Sequence, residues 1–394
     1  MPPSAPTTQQ GGQAQGGKQA PQVAPYPFPV GVYDIEAQDG GTVSITQTAA
    51  PQQVPNYYNI TPNGWIAGVW FDFTMAVSGN VTNNVSFFKD NPFSVINKMT
   101  LKDLGQQPVI GPIGGYDWFL LNKFGGYQGA GADPRADVTF SVTTGTGSTA
   151  GSFTFSLFLP FEFVHRDSLG TADNTSKPGW SVELWIDSQA NTYNQVPSVM
   201  GTLTVRAFPQ GYTKPLSAAP TGRAYSQSPP RPGTRQYWAL EGGQGTFNGA
   251  FVYDLVNGIS FPIRNLIYKA IDNSAGTRAA GDADFPDPAT LLYGNVQLLS
   301  SRSKLRWKST MGRQFGLTNT TADAANGLEN GVYVYPRTVD FDLQAGNELR
   351  YRYLDTKQGT LLRIQGSASA AMLLYVLTNW IKPASGGYYS LLAG

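Results

Sequence analysis

In Phe153-Thr-Phe-Ser-Leu-Phe-Leu159 the apolar side chains fall at 153, 155, 157 and 159, and in Trp180-Ser-Val-Glu-Leu-Trp-Ile186 they fall at 180, 182, 184 and 186. A period of two predicts β-strands with one buried face. Runs rich in Val, Ile, Thr and aromatics also occupy Trp65–Val77, Phe93–Leu104, Phe153–Phe163 and Thr202–Phe208, punctuated by Gly, Pro and Asn. The stretch Pro209–Pro232 then carries Pro209, Pro215, Pro220, Pro229, Pro230 and Pro232. Proline at that density removes ladder donors and fixes φ, which predicts a linker and excludes a central strand. Strand-like runs resume at Trp238 and continue to about Leu392. Among them, Ala368–Ile381 is 14 residues long and contains Ser369, Thr378 and Asn379. A membrane-spanning helix needs about 20 apolar residues, so this run predicts a buried strand.

The second block echoes the first. Phe93-Ser-Val-Ile-Asn97-Lys-Met99 aligns with Phe261-Pro-Ile-Arg-Asn265-Leu-Ile267 at an offset of 168, and Asp187 aligns with Asp355 at the same offset. Leu159-Pro160 faces Tyr335-Pro336 at 176. Three matches in one order predict a duplicated domain. Helix signals are few: Tyr116–Phe124, and Asp287–Tyr293 with its leading Asp and early Pro, each suit a turn or two. The expected fold is all-β, two tandem eight-stranded jelly rolls with long inter-strand loops and few short helices. Residues 1–29, biased to Pro, Gln, Gly and Ala, form a disordered or extended arm; 30–208 form the first jelly roll, 209–233 the Pro-rich linker and 234–394 the second jelly roll.

Composition sharpens this picture. Hydrophobic residues make up 41% of the 394 and aromatics 12%, ample for two cores. Charged residues are only 13%, about half of the ~25% usual in soluble domains. A chain so short of charge is expected to cover much of its surface with partners. The net charge of +1, from 27 basic and 26 acidic residues, argues against direct nucleic-acid binding, which needs concentrated Lys and Arg. There is no cysteine, which excludes disulfides and thiolate metal sites, and Met1-Pro2-Pro3-Ser4 does not open a secretory signal.

Catalytic chemistry has little to stand on. The one histidine, His165, lies two residues before Asp167, but the Gly-x-Ser-x-Gly elbow is absent and a single His cannot build the usual zinc sites. Glutamates are confined to Glu36, Glu162, Glu183, Glu241, Glu329 and Glu348, of which Glu162 and Glu183 are the pair to weigh against a glycosidase reading. Asp282, Asp284 and Asp287 form an oxygen-rich loop without the glycine and terminal Glu of an EF-hand. Gly125-Gly-Tyr-Gln-Gly-Ala-Gly131 lacks the Lys and Ser/Thr of a phosphate loop. The sequons at Asn59 and Asn319 carry no weight without a secretory route. No catalytic residue, cofactor or metal is therefore expected. One charge pattern stands apart: Arg302, Lys304, Arg306 and Lys308 alternate with Ser303, Leu305 and Trp307, followed by Arg313. On a strand these cations would line one face, either solvated or meeting nucleic acid, lipid headgroups or an acidic neighbouring subunit, of which the subunit contact is preferred because attraction to nucleic acid needs more net charge.

Phe88-Lys-Asp-Asn-Pro-Phe-Ser-Val-Ile-Asn-Lys-Met-Thr-Leu, continuing to Gly114-Gly-Tyr-Asp-Trp-Phe-Leu-Leu-Asn122, resembles the double jelly-roll major capsid proteins of tectivirus-like phages, which are tailless, icosahedral and membrane-containing. Leu157–Leu169 and Asn330-Gly-Val-Tyr-Val-Tyr335 resemble the same family, as does the layout of arm, roll, linker and roll. Relatives often begin with helix-forming residues, whereas residues 1–29 here are rich in Gly and Pro. The resemblance implies a homotrimer whose six rolls approximate a hexagon and tile an icosahedral virion shell, assembled in the host cytoplasm. It implies as partners the chain itself, neighbouring capsomers, other capsid proteins such as a vertex protein and, where one is present, an internal viral membrane. The competing readings are a phage β-sandwich that binds receptors or carbohydrates, and a polysaccharide-degrading enzyme on a β scaffold.

Overall fold

The computed structural model describes residues 28, 32–34, 42–55, 58–61, 64–76, 86–87, 92–127, 153–164, 168–175, 179–196, 200–214, 223–274, 276, 278–315, 330–337, 350–357 and 359–384. In the first half, β1 (Val32–Asp34), β2 (Val43–Thr46), β3 (Gln52–Gln53) and β4 (Tyr58–Asn59) precede the long β5 (Trp65–Ala76). Next come β6 (Ser86–Phe87), the hairpin β7 (Ile96–Lys102) and β8 (Pro108–Ile113), and helix α1 (Gly115–Gly125). β9 (Phe153–Pro160), β10 (Ala172–Asp173), β11 (Ser181–Ile186), the short α2 (Gln189–Thr192), β12 (Tyr193–Gln195) and β13 (Thr202–Tyr212) complete it. The second half holds β14 (Arg235–Leu255), β15 (Pro262–Asp272), α3 (Arg278–Asp284), the hairpin β16 (Ala289–Tyr293) and β17 (Val296–Arg302), and α4 (Lys304–Phe315). β18 (Val332–Pro336), β19 (Leu354–Asp355) and β20 (Leu362–Lys382) close it.

The alternation read in the sequence is the alternation of burial. In β9 the residues at 153, 155, 157 and 159 are buried, with the intervening side chains half-buried. Ala368–Ile381 lies wholly within strand β20. One sheet of the first half carries β1 and β2 on β13, then β5 and β9; the other runs β8-β7-β11-β3. The second of these does not stop at the half boundary. Trp238 of β14 lies parallel to Ile110 of β8, so the sheet continues as β17-β16-β20-β14-β8-β7-β11-β3.

Three local expectations are corrected. Strand β13 runs through Pro209 to Tyr212, four residues into the expected linker. Pro209 faces Val69 of β5, and its other side falls between the partners of β2, Thr202–Val205, and those of β1, which begin at Gln210. No ladder donor is required of it there. Asp287–Tyr293 holds no helix: Ala289–Tyr293 is strand β16, with Leu291 facing Ile364 of β20. Ser301–Lys308 is not one strand, because β17 ends at Arg302 and α4 begins at Lys304. The alternating cations masked the longer period of Trp307, Met311 and Phe315, which are buried at spacing i, i+4, i+8. Ser303 caps the helix, its Oγ accepting from the Arg306 N–H.

The two halves repeat one topology. β1–β4 correspond to β14, β5 to β15, β7 and β8 to β16 and β17, α1 to α4, β9 to β18, β10 to β19, and β11 with β13 to the single long β20. Pro160 and Pro336 are counterparts, each ending the strand that follows the helix. The other two sequence matches are not. Phe93 starts a 3-10 turn before β7, while Phe261 precedes β15, the counterpart of β5. Asp355, paired with Pro262 at the start of β15, corresponds to Asp173, paired with Trp65 at the start of β5, and not to Asp187.

The repeat extends to how each helix seals a strand edge. Among the described residues β9 pairs β5 on one side only, and β18 pairs β15 on one side only. On the open side of β9, Trp118 Nε1 donates to the Phe158 carbonyl at 2.8 Å, and one turn later Asn122 Oδ1 accepts the Phe158 N–H at 2.6 Å. On β18, Trp307 Nε1 donates to the Val334 carbonyl at 2.7 Å, and Met311 Sδ accepts the Val334 N–H at 3.3 Å. Phe158 and Val334 each stand two residues before their proline. Removing such a partner leaves buried backbone groups unpaired, at about 1–3 kcal/mol each. We therefore expect Asn122→Leu to lower unfolding free energy by about 2–4 kcal/mol, read from the urea midpoint at constant slope. A variant within about 0.5 kcal/mol of the parent would show that water satisfies the edge equally well.

The interface between the halves and the candidate contact surface

β15 is buried along almost its whole length although it contains Arg264, Asn265, Lys269 and Asp272. It is covered on both faces. Leu266 and Tyr268 turn to the core of their own half, where Tyr268 packs edge-on against Trp307. Three of the polar residues of β15, Arg264, Asn265 and Lys269, meet α1 of the other half.

Helix α1 ends at Gly125, with Gly126 in the left-handed region at φ 85°. Its last carbonyls have no partner within the helix. Arg264, 1% exposed, donates from Nη2 to the Gly125 carbonyl at 2.9 Å, and Asn265 Nδ2 donates to the Phe124 carbonyl at 2.8 Å. The guanidinium also meets the negative end of the helix dipole. In the first turn of α1, Asp117 takes a hydrogen-bonded ion pair from Lys269 Nζ, both side chains being nearly excluded from solvent. The Arg278 guanidinium lies 4.0 Å from the centre of the Tyr116 ring. At the β8–β14 junction, Gln236 Nε2 donates to the Tyr127 hydroxyl at 2.7 Å and Trp238 Nε1 donates to Gln236 Oε1 at 2.9 Å. Phe124 of α1 and Phe315 of α4 complete the contact, ring centres 5.0 Å apart. Chemically this is an interface built to hold two rolls in one fixed relation.

Of the four cations singled out in the sequence, the structure groups two inward and leaves one outward. Lys304 Nζ donates to the carbonyls of Asp282 and Ala283. Lys308 Nζ donates to the Val332 carbonyl and pairs with Asp282 at 3.3 Å. Arg306 is exposed, beside Leu305 at 79% exposure. Arg302, half-buried at the end of β17, has its pKa lowered by burial and then by the charge of Arg306. Arg313 is exposed.

The three loop aspartates are likewise spent within the fold. Burial works to raise the Asp282 pKa, but the Lys308 ammonium, the Gly331 N–H and the Tyr333 hydroxyl outweigh it and hold the carboxyl below its usual range. Asp287 Oδ1 accepts the Lys304 N–H at the start of α4. Asp284 accepts from the Ser369 hydroxyl, and burial together with the neighbouring Asp272 raises its pKa. Among the described residues no group of three or more metal-ligating side chains occurs. Glu162 lies just after the end of β9, whereas Glu183 is within β11. Glu162 accepts from the Tyr212 hydroxyl at 2.8 Å, and Glu183 pairs with Lys102 at 2.7 Å. That bond and the Trp185 indole N–H hold the Glu183 pKa down against burial. His165, Asp167, Glu36, Glu329, Glu348, the Asn319 sequon, residues 128–131 of the glycine-rich loop and all of 1–29 except Phe28 lie outside the described residues.

The sequence reading missed Asp117, Arg264, Asn265 and Lys269. The trace they leave is a strand with polar residues on a face that would otherwise be apolar.

No family model matches the chain, and no curated protein matches its sequence. Solved structures do match it. The STIV MCP superimposes with a TM-score of 0.55 at 11% identity, covering 93% of this chain and 99% of that one. A chain in the atomic structure of Sulfolobus Turreted Icosahedral Virus gives 0.56 at 10% identity, covering 92% and 93%. The Faustovirus major capsid protein gives 0.50 at 8% identity, covering 93% and 92%. At such identities the likeness is one of architecture, and the architecture is the double jelly roll of viral major capsid proteins.

Two outcomes are expected of the interface. Lys269→Ala strands Asp117 as a buried unpaired charge, so unfolding free energy should fall by about 3–5 kcal/mol, while Lys269→Met with Asp117→Leu should lose much less; chemical denaturation of the three proteins decides it. For Asp284 the native pKa is raised above the unfolded value of about 3.9. Its stabilising contribution is complete below that value and is lost as pH rises through the native pKa. Asp284→Asn should therefore flatten the melting temperature between pH 4 and 7 relative to the parent. An unchanged pH profile would count against the Asp272–Asp284 pairing.

Proposed function

We propose that this chain is a major capsid protein of an icosahedral virus. The first roll, carried through Tyr212 by β13, and the second, from 234 onward, make up each subunit, and three subunits form a pseudo-hexagonal capsomer that tiles the shell. The observation that carries the reading is the double jelly roll matched over more than nine-tenths of the chain by capsid proteins. The low charge content supports it, because a surface so sparing of charge suits a subunit enclosed by neighbours. The fixed relation of the halves supports it as well, since a hexagonal outline requires rolls that do not swing.

On this reading the work of the protein is assembly, driven by burial of surface between copies, and not catalysis. Its partners are further copies, adjoining capsomers, a vertex protein and any membrane the virus encloses, within a virion assembled in the host cytoplasm. The outward cation Arg306, with Leu305 beside it and Arg302 at the strand end, belongs to the surface offered to a neighbouring subunit. Lys304 and Lys308 act by anchoring that helix.

Light scattering of the purified protein should give three times the chain mass, with hexagonal plates in negative stain. A monomer that binds glycans would instead favour the carbohydrate-binding reading. Arg306→Glu should weaken association between trimers, seen as a higher protein concentration for sheet or particle formation, and leave the melting temperature of the trimer unchanged.

A further inference from the structure

Several strands have a single partner among the described residues, β2, β3, β4 and β10 among them; two more are β17, which pairs β16, and β1, which pairs β13. Inside the chain, the counterparts of these two strands are joined to each other. β8 is the counterpart of β17, the opening part of β14 is the counterpart of β1, and β8 and β14 lie parallel with Ile110 opposite Trp238.

The correspondence holds residue by residue. In the first hairpin Met99 faces Ile113 and Leu101 faces Ile110; in the second Ala289 faces Arg302 and Leu291 faces Leu299. The spacings match, so Leu299 stands where Ile110 stands. In the other sheet Gly68 faces both Pro160 and Gln210, while Asn265 faces both Pro336 and Asn379. Gln210 then faces Asp34, and Asn379 faces Trp238. Asp34 therefore stands where Trp238 stands.

We propose that the β8–β14 junction within one chain is repeated between chains, β17 of one copy lying parallel to β1 of the next with Leu299 beside Asp34. The inference rests on the capsomer reading and supplies its contact. Joining two different patches is a heterologous association, which closes into a ring when the rotation per copy allows it. Three copies with two rolls each then give six junctions, alternately within and between chains. The occupant is a second copy because the chain already contains the same junction in covalent form. β17 is open to it: Val296 is 61% exposed, and Gln297, Ser300 and Ser301 are exposed as well. A seven-residue edge left bare invites disordered pairing, and the edges of β9 and β18 are sealed by helices while this one is not.

The absence of cysteine makes the test direct. In the parallel register Leu298 falls beside Tyr33. Leu298→Cys combined with Tyr33→Cys should form inter-chain disulfides under mild oxidation, giving a covalent trimer on a non-reducing gel, while each single variant runs as a monomer. A double variant that is trimeric by light scattering but forms no cross-link overturns the inference and leaves the capsomer reading standing. A parent protein that stays monomeric overturns both. Disulfide dimers of the Leu298→Cys single variant would place β17 against β17 and also overturn it.

Discussion

A bare strand edge invites disordered pairing, and the answer to that constraint organises this molecule. Each half meets it with a helix laid along the open side of one strand, its tryptophan and the residue one turn later taking up a carbonyl and an N–H of that strand. A third edge, that of β8, is met by the other half of the chain. The sealed edges confine strand pairing to the edges that remain, which blocks indiscriminate association along the rest.

The same economy explains the polar interior between the halves. Burying Arg264, Asn265, Lys269 and Asp117 is costly unless every group is met. Here the helix terminus supplies carbonyls that themselves lack partners, so two deficits cancel. An apolar contact of equal area would tolerate sliding; a guanidinium seated on a helix end and an ion pair about two turns away do not. The polar groups thus fix an angle between the rolls as much as they stabilise them.

The sheet-dominated character of the chain, its doubling and its buried C-terminal run were legible because period-two alternation and proline density act locally. Helix α4 was not, because four cations at alternate positions imitated a strand over a span shorter than the spacing of Trp307, Met311 and Phe315. The repeat was legible in kind and misregistered in detail. Connections of unequal length move the offset from one pair of elements to the next, so a single offset aligns Pro160 with Pro336 only by abandoning the rest. The interface residues were hidden for a different reason: one strand with both faces covered has no free face to mark by polarity, and which of its side chains meets the other half is decided by tertiary packing alone.

The last strand is continuous in the second half where the first half uses two separate strands, β11 and β13. β20 spans 21 residues and is held to β14 over most of that length, more than a hundred positions earlier in the chain. Closing that ribbon carries a large loop-entropy cost before any reward. The second roll rests on one uninterrupted strand that joins β14, β15 and β16, whereas the first divides that role between β11 and β13, so a single break in β20 reaches every sheet partner at once.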